Sequence, residues 1–306
     1  MVDAMEMDNR SKDALSDYYY FTMKYTDGTE HLLRFYVERD DYPFHPWKDF
    51  DGFLTTINVW WNRYALGHNE GNGDGTEMLK ELVEKHVSKD LIKEKALNGN
   101  FNVKYFVDTD DDEWDYRATY IGWDKAEHEY FIQYGDEGLI EDVLDSLANN
   151  EMMVLLQTHA TESIAIMPVY IYEHSGIAIS TGSYGDPWDS GCAGFAYIEK
   201  CKYEKIGLAW DTKDARETIE SEVHMYDQYL QGDVYMYCEE EYDAGNDSFY
   251  TSENCGGFYA DNWGDKLAKE LVNDMCKDPV LISEEEAEEF IKEAQIMEQA
   301  NLGVAI

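Results

Sequence analysis

Nucleophile, base and orienting acid occur together in one short block of this chain. His174, Ser175, Asp186, Asp189, Ser190 and Cys192 all fall inside it. A Ser or Cys beside a histidine that a carboxylate orients is the arrangement used for hydrolysis and acyl transfer. One reading is therefore a small hydrolase-type enzyme with His174, Asp186, Asp189 and Ser190 as its catalytic set. The detail of the spacing favours a structural reading. His174 and Ser175 are adjacent, so in an extended strand they face opposite ways. Asp186-Pro187 and Asp189-Ser190-Gly191 have turn composition, and such side chains commonly bond their own backbone.

Other chemistry is thinner. The sequence has no P-loop, Rossmann glycine fingerprint, HExxH or GxSxG. Asp108–Asp115 (DTDDDEWD) resembles a calcium loop only superficially. It lacks the central glycine and the closing glutamate of an EF-hand. His159, His174 and His224 are too widely spaced to suggest a metal triad. Cys192, Cys201, Cys238, Cys255 and Cys276 are odd in number and include no CxxC pair, which points to reduced thiols. No metal and no cofactor is expected.

Charge is the outlying property. The 306 residues carry 65 Asp+Glu against 24 Lys+Arg, a net of −41. With 44% hydrophobic and 14% aromatic residues the chain can still bury a sizeable core. So acidic a surface, with no basic stripe, disfavours direct nucleic-acid binding. It suits solubility, or a surface that imitates the nucleic-acid polyanion. The candidate partner-binding carboxylates are Asp108, Asp110, Asp111, Asp112, Glu113 and Asp115, then Glu239, Glu240, Glu241 and Asp243, then Glu284, Glu285, Glu288 and Glu289. The start of the chain is acidic and has no apolar core, so no secretory signal is expected there. No apolar run approaches a membrane span, so no membrane is expected as a partner.

The elements that must position these residues centre on Ile164–Ile198, the least charged part of the chain. Ile164–Tyr172, Ile177–Thr181 and Gly194–Ile198 read as three strands around a loop at Gly182–Pro187. Near the start, Asp17–Thr26 and His31–Arg39 flank an Asp-Gly turn, a hairpin signal. Phe53–Tyr64 is either a strand or a buried helix. Thr76 is placed to cap a helix running to about Leu97, and further strands are expected at Phe101–Val107, Tyr116–Trp123 and Glu129–Tyr134. Glu137–Ala148 reads as an amphipathic helix. Asp211–Leu230 is a helix with Ala215, Ile219, Val223, Tyr226 and Leu230 on one stripe and Glu217, Glu220, Glu222 and Asp227 on other faces. Val234–Cys238 reads as a strand, Gly245–Gly257 as a loop or hairpin, and Asp265–Met275 as a helix. Glu284–Gln299 is a last helix, opened by a Ser283/Glu286 capping box, with Ala287, Phe290, Ile291, Ala294 and Met297 inward. Strands and helices mix without βαβ alternation. The expected fold is therefore α+β: a single domain with a central, mostly antiparallel sheet, flanking amphipathic helices, and an acidic subdomain or insertion at about 101–150.

The block His174–Ile198, HSGIAISTGSYGDPWDSGCAGFAYI, resembles a signature of uncharacterised proteins of bacteriophages and other mobile elements. There the pattern is D-H-S-G-x-x-I-S-T, then P-W-D-S-G, then G-x-[IA]-Y. Glu173 stands here at the first position, and Cys192 where Gln is frequent. The Asn58–Gly67 segment and the run from Glu222 to Tyr235 are also similar to that family. The resemblance carries over no catalytic residue. It implies a phage or mobile-element origin and action in the cytoplasm of a bacterial host cell. Joined to the charge, it leads to a counter-defence protein of anti-CRISPR or antirestriction type. Such a protein would bind and inhibit a host DNA- or RNA-binding defence complex as an acidic DNA mimic. Duplex DNA carries one negative charge per ~1.7 Å, so the net charge would match roughly 70 Å of duplex if aligned.

Overall fold

The computed structural model describes residues 17–26, 28–60, 63–69, 75–97, 104–108, 117–124, 129–134, 143–145, 147–174, 176–260, 267–271 and 280–303. Helices and antiparallel sheets are both present, as an α+β fold requires. Where the sequence suggested one domain, the chain forms two compact units: residues 1–51 with 228–306, and residues 52–227.

The first unit is built on a five-stranded sheet. Tyr19–Lys24 (β1) and Glu30–Arg39 (β2) form the expected hairpin, in which Gly28 takes φ +88°. Its other expected turn residue, Asp27, lies outside the described residues. Val234–Asp243 (β10) and Ser248–Tyr259 (β11) form a second hairpin, and Val280–Ile282 (β12) pairs with β1. The order is β11-β10-β2-β1-β12. Alternation sends Phe21, Leu33, Phe35, Val37 and Tyr235 to one face, where they pack with Ala268 of a helical stretch at 267–271. Tyr20, Leu32 and Tyr242 line the other face under Ala287, Phe290, Ile291 and Ala294 of the last helix, Glu284–Gly303 (α6). The predicted box opens that helix: Glu286 accepts the Ser283 N–H at 2.8 Å, and Ser283 Oγ accepts the Glu286 N–H at 3.2 Å. Met297, expected inward, is 65% exposed beside Ile296 at 67%. The packed stripe ends at Ala294, and in the next turn Glu298 is half-buried while Met297 faces solvent.

The second unit centres on a sheet of Thr56–Val59 (β3), Ile164–Glu173 (β7), Ile177–Ser180 (β8) and Ser190–Glu199 (β9), ordered β3-β9-β7-β8. The three predicted central strands are thus β7, β8 and β9, and Phe53–Tyr64 contributes a strand. Gly194 lets β3 and β9 approach closely, since a Cβ there would lie 2.1 Å from the Asn58 carbonyl. One sheet face carries Ile164, Ile166 and Phe195. It is covered by Gly75–His86 (α1), Lys89–Leu97 (α2) and Asn149–His159 (α3), through Leu79, Val83, Ile92, Met152 and Leu156. Val143, Leu144 and Leu147 of the predicted 137–148 helix join this cluster, while Leu139 and Ile140 lie outside the described residues. The helix expected from Thr76 to about Leu97 is two helices. Ser88 ends the first and caps the second, accepting the Leu91 N–H at 3.3 Å. Thr76 lies inside α1, and its hydroxyl meets the Asn149 amide at 3.2 Å.

Lys200–Lys205 (α4) and Thr212–Gln231 (α5) follow β9. α5 buries Ala215, Ile219, Val223 and Tyr226 on the expected stripe. Its acids do more than face water. Glu222 accepts the Leu54 and Thr55 N–H groups at 2.9 and 2.7 Å, and Asp227 accepts the Ile179 N–H of β8 at 2.7 Å. The outer side of β3 is closed by residues 67–69. His68 exchanges bonds with Ile57, and the Asn69 amide bonds both the N–H and the carbonyl of Val59. Gly67 permits this with φ +69°, and a Cβ on it would meet the Ile57 carbonyl at 2.7 Å. Lys104–Asp108 (β4), Arg117–Asp124 (β5) and Glu129–Tyr134 (β6) form an antiparallel sheet of their own within the acidic stretch. Among the described residues, no helix is long and apolar enough to cross a membrane.

Candidate functional site

Strand β7 ends at Glu173, and the chain returns along β9 after the loop 181–189. His174, Asp186, Asp189 and Ser190 therefore meet at one end of the sheet. His174 Nδ1 lies 3.1 Å from Asp189 Oδ2, and the Glu173 N–H donates to the Asp189 carbonyl at 2.8 Å. Asp186 Oδ1 accepts the N–H groups of Trp188 and Asp189 at 2.8 and 3.0 Å. Those two bonds hold its carboxyl below the usual range. The Ser190 hydroxyl donates to the Asp186 carbonyl.

The four residues thus lie together in the fold, and their bonds match the turn reading. The His174 side chain is 66% exposed, and the Ser190 hydroxyl points to backbone rather than to the imidazole. Cys192 is half-buried, and burial pushes its thiol up, away from a reactive thiolate. Ser175 lies outside the described residues. The turn does present one side chain outward: Trp188 is 90% exposed. Beside it, Tyr172 stacks on His174 at 6.1 Å between ring centres and meets Tyr184 at 5.4 Å.

A second Ser–His–acid chain escaped the sequence reading. His86 Nδ1 lies 2.9 Å from Ser163 Oγ, and its Nε2 lies 2.8 Å from Glu199 Oε1. Burial alone would raise the Glu199 carboxyl. The bonds from Lys85 and His86 outweigh it and hold the group ionised below its usual range. A carboxylate only accepts, so His86 Nε2 carries a proton. Ser163 Oγ also lies 3.1 Å from the Ala160 carbonyl. The network joins the end of α1 to the turn after α3 and the end of β9, which makes it a cross-link between elements. Three residues so far apart in the chain leave no motif to find.

The acidic candidates divide by environment. Asp108 ends β4, while Asp110, Asp111, Asp112, Glu113 and Asp115 lie outside the described residues. Glu239, Glu240, Glu241 and Asp243 belong to β10, which runs beyond the expected Cys238, and all four have partners in their own hairpin or sheet. Glu239 accepts from Ser252 Oγ at 2.8 Å, Glu240 pairs with Arg34, and Glu241 with His31. Asp243 accepts from the Gly245 N–H and the Asn246 amide. Glu284, Glu285 and Glu289 are exposed on α6, and Glu288 pairs with Lys292 at 3.4 Å. Glu293 extends the exposed line. Among the described residues, no group of three His, Cys, Asp or Glu side chains is placed to hold a metal ion. The four described cysteines are unpaired.

No family model, no curated protein and no solved structure matches this chain.

Proposed function

We propose that the protein is a phage-encoded counter-defence factor acting in the bacterial cytoplasm. It binds a host nucleic-acid-targeting defence complex and occupies the DNA or RNA site as an acidic mimic. The observation that carries this reading is the outer line of α6, where Glu285, Glu289 and Glu293 all face solvent. The carboxylates of β10, by contrast, are engaged within the sheet. Residues four apart on a helix rise by about 6 Å, against ~3.4 Å per phosphate on one DNA strand. The line therefore offers one charge for roughly two phosphates, and other exposed acids must add to it. Such a surface associates fast and in a salt-sensitive way. The phage origin rests on the resemblance of the His174–Ile198 block.

The alternative, a hydrolase centred on His174, Asp186, Asp189 and Ser190, draws on the His174–Asp189 contact. It is weakened because the Ser190 hydroxyl is donated to the Asp186 carbonyl.

The test is protection of phage in a host carrying an active nucleic-acid-targeting defence system. Expression of the protein raises plaque counts. Replacing Glu285, Glu289 and Glu293 together by Lys removes the effect without lowering the melting temperature. Full protection by that variant would sink the reading.

A further inference from the structure

We infer that the turn at 186–190 is a docking anchor, in which Trp188 packs against arginine side chains of a basic protein surface. This deepens the reading above and rests on it. Three observations converge on the turn. Trp188 contributes nothing to the core, being 90% exposed. The backbone beneath it is fixed: Asp186 takes two N–H groups, Ser190 closes onto the Asp186 carbonyl, and both Glu173 and His174 bond Asp189. An aromatic side chain on so fixed a turn loses little freedom on binding, the quality that makes tryptophan a frequent hot spot. The turn's own acids, Asp186 and Asp189, put negative charge next to Trp188 in the chain, and Asp186 is held ionised by its backbone bonds, while the Glu173 carboxylate is paired with Arg63 at 3.5 Å.

That charge chooses the occupant. A base of single-stranded nucleic acid could stack on the indole, but its phosphates would then meet the two carboxylates of the turn in a chain of net charge −41. A guanidinium gains from both features. It stacks on the ring face through cation–π attraction, and its donors match the carboxylates in a planar fork. Tyr172, His174 and Tyr184 form an aromatic group at the same end of the sheet, tied to the turn through the His174–Asp189 contact.

The probe is an oligo-arginine peptide titrated at physiological salt into protein carrying ¹⁵N in its tryptophan indoles. The Trp188 signal is assigned by its absence in Trp188→Ala. That exposed variant should melt like the wild type. The expected result is a shift of the Trp188 signal, with binding weakened roughly 3- to 30-fold by Trp188→Ala and largely restored by Trp188→Phe. If the peptide binds equally well to Trp188→Ala, the anchor is wrong while charge-led binding stands. If the peptide does not bind the wild type at all, the charge-led reading falls with it. Saturation of the Trp188 signal by oligo-dT in place of the peptide would overturn the assignment in favour of nucleic acid.

Discussion

Arg34 and Glu240 face each other across β2 and β10, and their side chains pair with 7% and 13% exposure. The guanidinium lies between the rings of Phe249 and Tyr18, at 4.1 and 4.7 Å from their centres. Removing the acid would leave a buried cation, so Glu240→Ala is expected to cost about 3–5 kcal/mol in urea unfolding. The double change Arg34→Met with Glu240→Leu should recover most of the loss. A Glu240→Ala protein as stable as wild type would show that the pair contributes nothing.

Reversing charge on α6 should behave differently. Glu289→Lys changes an exposed site away from such a pair, so its effect on stability should stay within about 0.5 kcal/mol. A larger loss in denaturant would mean that the outer line of α6 is structural, which would count against its role as a recognition surface.

Glu222 holds the entry to β3 through two backbone N–H groups. Glu222→Ala should destabilise by roughly 2–3 kcal/mol, and Glu222→Gln by less, because its amide oxygen keeps part of the bonding. Hydrogen exchange offers the sharper check. The Leu54 and Thr55 amides should lose protection in the alanine variant, while those of β7 change only with global stability. Unchanged exchange at Leu54 and Thr55 would refute the assignment.

Alkaline pH should loosen the first unit. Tyr235, Tyr237, Tyr242 and Tyr259 are each pushed up to about 12, by burial first and then by neighbouring groups that include Asp233, Glu253, Asp247 and Asp49. Their folded pKa lies above the ordinary value of 10.0. The stability linked to their neutral form is therefore complete below pH 10 and is lost as pH climbs toward 12. Tyrosinate absorbance should rise late, in step with loss of the near-ultraviolet circular dichroism. An ordinary titration near pH 10 with the fold intact would contradict these shifts.

Gly194→Ala places a methyl group 2.1 Å from the Asn58 carbonyl, where two strands meet. Backbone must move to admit it, at a cost of about 3 kcal/mol. Thermal melting of this variant should show a clear drop, and an unchanged midpoint would mean that β3 and β9 sit farther apart.

What the sequence disclosed was local. The 17–39 hairpin follows from two alternating runs about an Asp-Gly turn, and α6 from a capping box four residues long. Both depend on near neighbours, which a chain displays directly. The fates of Glu222, Asp227 and Glu240 depend on partners far away in sequence. On a helix, Glu222 and Asp227 look like ordinary solvated acids, and only the arrival of Leu54, Thr55 and Ile179 makes them backbone acceptors. Glu240 looked like part of a free acidic run because its neutralising Arg34 is 206 residues distant. At the candidate site the loop residues were identifiable because they are sequence neighbours. Their engagement as turn bonds was foreseeable from Asp and Ser chemistry. The exposure of Trp188 was not, since an isolated tryptophan reads first as core.

The side chains bordering β3 and β8 have a consequence for how copies of the chain behave together. A β-sheet ends in rows of unfilled peptide groups, and such a border is a template on which another strand can crystallise. Here His68 and Asn69 fill peptide positions beside β3, and Asp227 fills one beside β8. At these edge positions the second unit uses imidazole, amide and carboxylate in place of a further strand. Edge-to-edge propagation is blocked at these positions by atoms of the molecule itself, so concentrating the protein should not join its sheets there.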